Sequence, residues 1–443
     1  MVSETIKAPE TLQDLNLHRD LVASLVLRTL AFYGQLSGAD LEEKLGVTFE
    51  TIGGLLEEFQ RTQLVDSMGY ASRADLEQRP VPVRLNYMIS NAGRSRAAEM
   101  AAIGTRYLGP CPITFEDYVE LIGSQFTEKV AVTDGSLRNA LEHLELDQNV
   151  IDQIGGAMVS RASLFIFGAP GNGKSTVAER MSALLGGPIE IPHAVTVGDE
   201  VIRVLDPVYH RPAPGPQPAD GRLVRVHRPV VIAGGELKLP QLDLTHDAQS
   251  NHYEAPLQWK ANGGVLVIDD FGRQEAPAMR FLNRFIVPME RKVDYLDLSA
   301  SGRKISLPFL CQIVFSTNLS PAELVDEAFL RRMAYKVGIR NPSPEAFGRI
   351  LAYECERNGI PLDARAAPYL LQLFGKRPLR GSHPKQIVSR LVDMAAFRGQ
   401  TPRLTPQTLR EAFDECFNPA LGDLAGDDWA RPTQIPIKVN GTH

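Results

Sequence analysis

The stretch SLFIFGAPGNGKST, Ser163 to Thr176, constrains this chain more than any other. Leu164, Phe165, Ile166 and Phe167 form a short apolar run that ends in a glycine-rich turn, and a helical pattern begins at Ser175. The turn reads G-x-x-x-x-G-K-S from Gly168 to Ser175, and strand, loop, helix is the setting in which that spacing makes a phosphate-binding loop. Each residue type has a physical task. Gly168, Gly171 and Gly173 permit backbone conformations that a side chain forbids, so several N–H groups can converge on phosphate oxygens. Lys174 reaches the terminal phosphates, and Ser175 offers a hydroxyl to magnesium at a helix start whose dipole favours anions. Pro170, Asn172 and Thr176 complete the candidate binding set. The pattern predicts a nucleoside triphosphate site.

A chain of 443 residues is too long for one ordinary core, so several structural units are expected. No apolar run approaches a membrane span, and the polar opening MVSETIKAPETLQDLNLHRD predicts no signal peptide. Cys111, Cys311, Cys355 and Cys416 lack C-x-x-C or other metal spacing, which points to a reducing cytoplasm. With a net charge of −6, nothing global draws the chain to nucleic acid.

Taken in order, residues 1–17 read as a polar tail. Helical spacing follows in Val22, Leu25, Val26, Leu30 and Tyr33, then a helix capped at Ser37 and ending near Gly46. A third helix, from about Phe49, has Ile52, Leu55, Leu56 and Phe59 as its apolar stripe. Two extended stretches, LVDSMGY and VRLNYMISN, come next. Over residues 18–106 this order resembles a winged-helix domain. Its third helix carries Glu50, Glu57 and Glu58, whereas a major-groove reader should present Arg, Lys, Asn or Gln. Protein docking or regulation is therefore the preferred role, with DNA binding the alternative. Residues 107–129 read as a proline-broken linker and a helix.

An α/β unit is expected over 130–340. Within it Val265-Leu266-Val267-Ile268 is a fully apolar strand ending in Asp269-Asp270, the pattern that delivers a carboxylate beside a phosphate-binding loop. LCQIVFSTNLS holds a further strand ending at Asn318, and EAFLRRMAYKV places Arg331-Arg332 after a helix. Residues 341–418 turn helical, and 419–443 read as a flexible tail.

Phosphate loop, D-D strand, Asn strand and Arg-Arg, in that order, resemble the AAA+ ATPases. The A-N-G-G-x-x-x-I-D-D-F-G-R and F-S-T-N-L motifs are most similar to a bacterial winged-helix AAA+ subgroup described as predicted ATPases with chaperone activity, and the A-x-G-G before the acidic strand also resembles MoxR-like ATPases and bacterial enhancer-binding proteins. The resemblance implies an α/β P-loop αβα core with a helical lid, preceded by an α+β winged-helix domain, and ATP with Mg2+ as ligands. Asp269 would then hold the magnesium shell together with Ser175. Asp270 stands where the family has a glutamate that polarises the attacking water. Asn318 matches the residue that orients this water. Arg331 or Arg332 would act as an arginine finger on a neighbouring subunit, which implies a homo-oligomeric ring, usually hexameric. Lys385 falls at the family's lid arginine, with Arg380 a second candidate.

The implied activity is ATP hydrolysis coupled to remodelling a protein client. A DNA-acting AAA+ protein and a slowly hydrolysing assembly switch are the alternatives, the latter because Asp270 is one methylene shorter than glutamate. Tyr209, His210, His252 and Tyr253, and the hairpin Tyr295 to Pro308 with Arg303 and Lys304, are candidates for lining a pore or simply for loop surface.

Overall fold

Five apolar segments build the central sheet of the computed structural model, which describes residues 7–126, 132–142, 144–324 and 331–417. In spatial order they are Val230–Ala233, Val265–Ile268, Gln312–Thr317, Leu164–Gly168 and Tyr335–Ile339. The first four pair in parallel. Val265–Ile268 and Gln312–Thr317 are buried at every position, as expected of strands covered on both faces. Phe165, Phe271, Phe281, Phe285 and Phe315 fill the core against this sheet, with the Phe271 and Phe315 rings meeting edge-on at 5.1 Å. The order has a chemical consequence. The strand ending at Asn318 lies between the strand leading to Lys174 and the strand leading to Asp269 and Asp270, so one carboxamide emerges between a cation and two carboxylates.

The A-N-G-G motif is a structural joint. The Asn262 amide donates to Tyr118 Oη at 3.0 Å and to the Pro308 carbonyl at 2.9 Å, and its oxygen accepts the Leu310 N–H at 2.9 Å. Gly263 has φ +81°, and a Cβ on Gly264 would lie 2.0 Å from the Pro229 carbonyl oxygen. Only glycine allows the strand beginning at Val265 to lie that close to the one beginning at Val230.

The interval between the phosphate loop and the acidic strand is enlarged. It contains the hairpin partners Ile189–Pro192 and Leu223–Val226 and most of a second five-stranded sheet. That second sheet runs Thr245–Asp247, His252–Glu254, Glu200–Arg203, Ala194–Val197 and Ile113–Thr114. Its last strand belongs to the stretch expected to be a linker. Cys111 and Ile113 are fully buried, so apolar burial overrides the Gly109-Pro110 break there.

Towards the N-terminus, helices Arg19–Tyr33, Gly38–Leu45 and Phe49–Arg61 pack with a three-stranded antiparallel sheet of order Gln35–Ser37, Leu85–Ile89, Val65–Tyr70. Ser37 and Asp40 form a reciprocal capping box at the second helix. Leu15 is fully buried and Leu12 and Leu17 pack beside it, so residues 7–17 differ from the expected tail: every few residues they insert a leucine into this core. Ala194 and Val201 of the second sheet belong to the same apolar cluster. Contact there is close. A Cβ on Gly46 (φ +66°) would meet the Gly221 carbonyl oxygen at 2.5 Å, and Cys111 N–H donates to the Leu45 carbonyl at 2.7 Å.

By compactness the chain divides into two units. One gathers the described residues of Met1–Ala140, Gln148–Phe167 and Lys174–Gly338. The other gathers Leu141–Asp147, Gly168–Gly173 and the described residues of Ile339–His443. The second contains helices Pro344–Arg357, Ala366–Phe374, Ser382–Phe397 and Pro406–Cys416, with Phe347, Phe374 and Phe413 at its core. The expected C-terminal tail, 419–443, lies outside the described residues, as do 127–131 and 325–330. No described helix is long and apolar enough to cross a membrane. All four cysteines are free.

Candidate functional site

Lys174 opens the helix Lys174–Met181 directly after the glycine loop, and its side chain is buried. Its Nζ donates to Asn318 Oδ1 at 2.6 Å, and Asn318 Nδ2 donates to Asp270 Oδ1 at 3.0 Å. This orientation of the carboxamide is the one chemistry requires, because an ammonium only donates and a carboxylate only accepts. Beside this chain, Ser175 Oγ donates to Asp269 Oδ2 at 2.6 Å, and the other Asp269 oxygen accepts the Asp270 N–H at 2.9 Å. Five expected site residues from three elements thus form one connected array.

The two aspartates are adjacent but differently placed. Asp269 is half-buried, and its N–H continues the sheet by donating to the Ala233 carbonyl at 2.8 Å. Asp270 is exposed and has φ +46°, a left-handed conformation that aspartate tolerates better than most residues. The twist ends the strand and turns the second carboxylate towards Asn318. A hydroxyl and a carboxylate in contact supply hard oxygen ligands of the kind magnesium takes, so Ser175 and Asp269 fit such an ion. A buried lysine with a neutral carboxamide partner fits a phosphate oxygen.

Gln274 carried no signal in the sequence, since nothing in its spacing marks it. It is buried, and among the described residues its carboxamide bonds to main chain. Oε1 accepts the Gly272 N–H at 2.9 Å, while Nε2 faces the Gly234, Asp269 and Asp270 carbonyls at 3.2, 3.1 and 3.4 Å.

In the second compact unit the glycine loop has the backbone its composition predicts: φ is +148° at Gly168, +81° at Gly171 and +84° at Gly173. Side chains there would collide with Ile339 O, Ser382 Oγ and Leu144 Cδ2 at 2.2, 2.3 and 2.6 Å. The side chain of Asn172, a residue expected in the nucleotide-binding set, bonds to protein. It donates to Asn341 Oδ1 at 2.8 Å and accepts the Gly381 N–H at 3.0 Å. Arg380 donates to the Pro170 carbonyl at 3.3 Å. Of the two lid candidates, Arg380 is therefore the one that touches the loop, and Lys385 is exposed. His383 stacks on Phe374 at 4.9 Å, and its Nδ1 accepts the Arg380 N–H at 3.2 Å. Burial, reinforced by the Arg380 charge, pushes this imidazole down to about 4.

Arg331 and Arg332 are exposed, and Arg332 Nε pairs with Glu290 at 2.8 Å. Thr176 is also exposed. The candidate pore residues divide. His210 and Tyr253 are buried, and His252 lies 3.5 Å from Glu254, so these three are packing and pairing residues. Tyr209 rests against the core cluster. On the hairpin Val293–Leu298 and Arg303–Pro308, by contrast, Tyr295, Arg303 and Lys304 face solvent.

A family model described as a domain of unknown function, DUF8689, matches residues 343–415. No curated protein matches the chain. Among solved structures, the chain is similar to NtrX from Brucella abortus in complex with ADP, at 14% identity and TM-score 0.39 over 73% of this chain and 66% of that one. The ATP complex of NtrX gives 14% identity and TM-score 0.38 over 63% of this chain, which spans only 62% of that protein. The Holliday junction branch migration motor RuvB of Thermotoga maritima aligns at 12% identity and TM-score 0.36, over 61% of this chain and 70% of its own.

Proposed function

We propose that the chain is a magnesium-dependent ATPase of AAA+ type that assembles into a ring and remodels a protein client. The observation that carries this reading is the linked array Lys174–Asn318–Asp270 with Ser175–Asp269 beside it. Lys174 supplies positive charge for the terminal phosphate, and Asn318 holds the lysine and Asp270 at fixed separation. Asp270 is the general base: its carboxylate accepts a proton from the attacking water. Ser175 and Asp269 would hold the magnesium, which would supply charge neutralisation to the phosphates. Arg331 or Arg332 is assigned to a neighbouring subunit's site, where an arginine stabilises charge developing on the transferred group.

Glu50 and Glu57 lie exposed on the third helix and Glu58 pairs with Arg19, a surface that repels a phosphate backbone. This supports a protein client over DNA. Asp270 supports slow hydrolysis, because its shorter arm is already committed to Asn318.

Phosphate release with magnesium and ATP tests the reading. Lys174→Ala should weaken nucleotide binding about 10–100-fold, as expected for a lost charge-assisted contact of about 1.5–3 kcal/mol. Asp270→Asn should keep binding and lower turnover about 10²–10⁴-fold, the usual size of a general-base contribution. If Lys174→Ala binds and hydrolyses like the parent, the site is not an ATPase site.

A further inference from the structure

We infer that Gln274 is a positioning residue for Asp270, acting through the main chain of the turn and not on the substrate; this rests on the ATPase reading above. The turn Asp270 to Gln274 is held from two sides. On the side of the Gln312–Thr317 strand, Phe271 N–H donates to the Ser316 carbonyl and Thr317 Oγ1 donates to the Phe271 carbonyl, both at 2.8 Å. On the other side Gln274 bridges the turn to the Gly234 carbonyl, just past the Val230–Ala233 strand, and also bonds the Asp269 carbonyl.

Chemistry restricts what could replace it. The Gln274 position must accept one N–H, from Gly272, and donate to carbonyls on the opposite side. A carboxamide does both from one planar group; a carboxylate cannot donate, and a thioether does neither well. Those bonds lock a backbone that has reason to relax. Asp270 sits at φ +46° and Gly272 at φ +96°, conformations that a non-glycine residue and a free turn leave readily. If Asp270 rotated back to negative φ, its carboxylate would leave Asn318 Nδ2, 3.0 Å away, and the general base would no longer be aimed. Asp269 differs. Its N–H is fixed by Ala233 and its carboxylate by Ser175, so magnesium and nucleotide binding should survive the loss of Gln274.

The role therefore predicts a split between turnover and binding. Phosphate release and binding of a fluorescent ATP analogue are measured on the full chain for the parent, Gln274→Met and Gln274→Glu, alone and with Asp270→Asn. Gln274→Glu keeps volume and loses the donors, so it serves if Gln274→Met fails to fold, as judged by thermal unfolding. The expected result is a kcat about 10–100-fold lower, the range seen when a supporting hydrogen bond is removed, with analogue affinity within about threefold. In the Asp270→Asn background the same substitution should change single-turnover release less than about threefold, because its target is already disabled. Unchanged kcat, a parallel loss of affinity, or a full additional loss in the Asp270→Asn background overturns the positioning role alone. A parent chain that releases no phosphate overturns the ATPase reading and this role with it.

Discussion

His383 lies against Arg380, the arginine that reaches the phosphate loop, and its neutral state is part of that contact. An unfolded histidine titrates near 6.5, whereas this one is pushed down to about 4, so the unfolded chain takes up the proton first. The stability it contributes is complete above 6.5 and is lost as pH falls towards about 4. The urea midpoint of the parent should decline across that window, while His383→Gln should be lower at neutral pH and flatter below it. At this scale the sequence was most informative where chemistry sits at a strand end. Asp269, Asp270 and Asn318 each follow an apolar run, and Lys174 and Ser175 follow a glycine loop. Gln274 was opaque, and so were the side-chain partners of Asn172, because backbone atoms and distant residues leave no spacing to read.

Among elements, the joint at Asn262 to Gly264 is the most demanding. Gly264→Ala would drive a methyl group to 2.0 Å from the Pro229 carbonyl, where the fully buried Val265–Ile268 strand lies against Val230–Ala233. Overpacking of this kind costs about 1–3 kcal/mol where neighbours can shift, and here the neighbour is main chain. A lowered denaturation midpoint with unaltered nucleotide affinity per folded molecule is expected from denaturant titration and analogue binding. The strands at Leu164 and Val265 were legible, since continuous apolar runs of about four residues have few other uses in an α/β unit, whereas Tyr335–Ile339 was not, because Lys336 and Gly338 interrupt its apolar run. Ile113–Thr114 was not. Two residues are too few for a periodic pattern, and the neighbouring Gly109-Pro110 signals a break that burial overrides. The same holds for Leu12, Leu15 and Leu17, three leucines within a polar stretch.

For the molecule as a whole, the proposed finger arginines act on another copy, so turnover should depend on association. Specific phosphate release per chain should rise with protein concentration and then level off, in step with oligomer size measured by light scattering. Arg331→Ala and Arg332→Ala together should remove the rise and leave nucleotide binding intact. Turnover that is independent of concentration would place all the chemistry in one chain. The α/β class and the helical C-terminal region could be anticipated from sequence; the shared packing of the N-terminal helices with the inserted sheet could not, because it joins residues far apart in the chain.

That shared packing bears on how such a chain can change over generations. A module on a tether can be exchanged between genes with little penalty. Here Gly46 fits against Gly221, and Ala194 and Val201 complete a core begun by residues near the N-terminus. An N-terminal module swapped alone would arrive with the wrong surface for its seat. Inherited variation on the two sides should therefore be correlated, with a side chain at Gly46 tolerated only alongside a remodelled loop around Gly221.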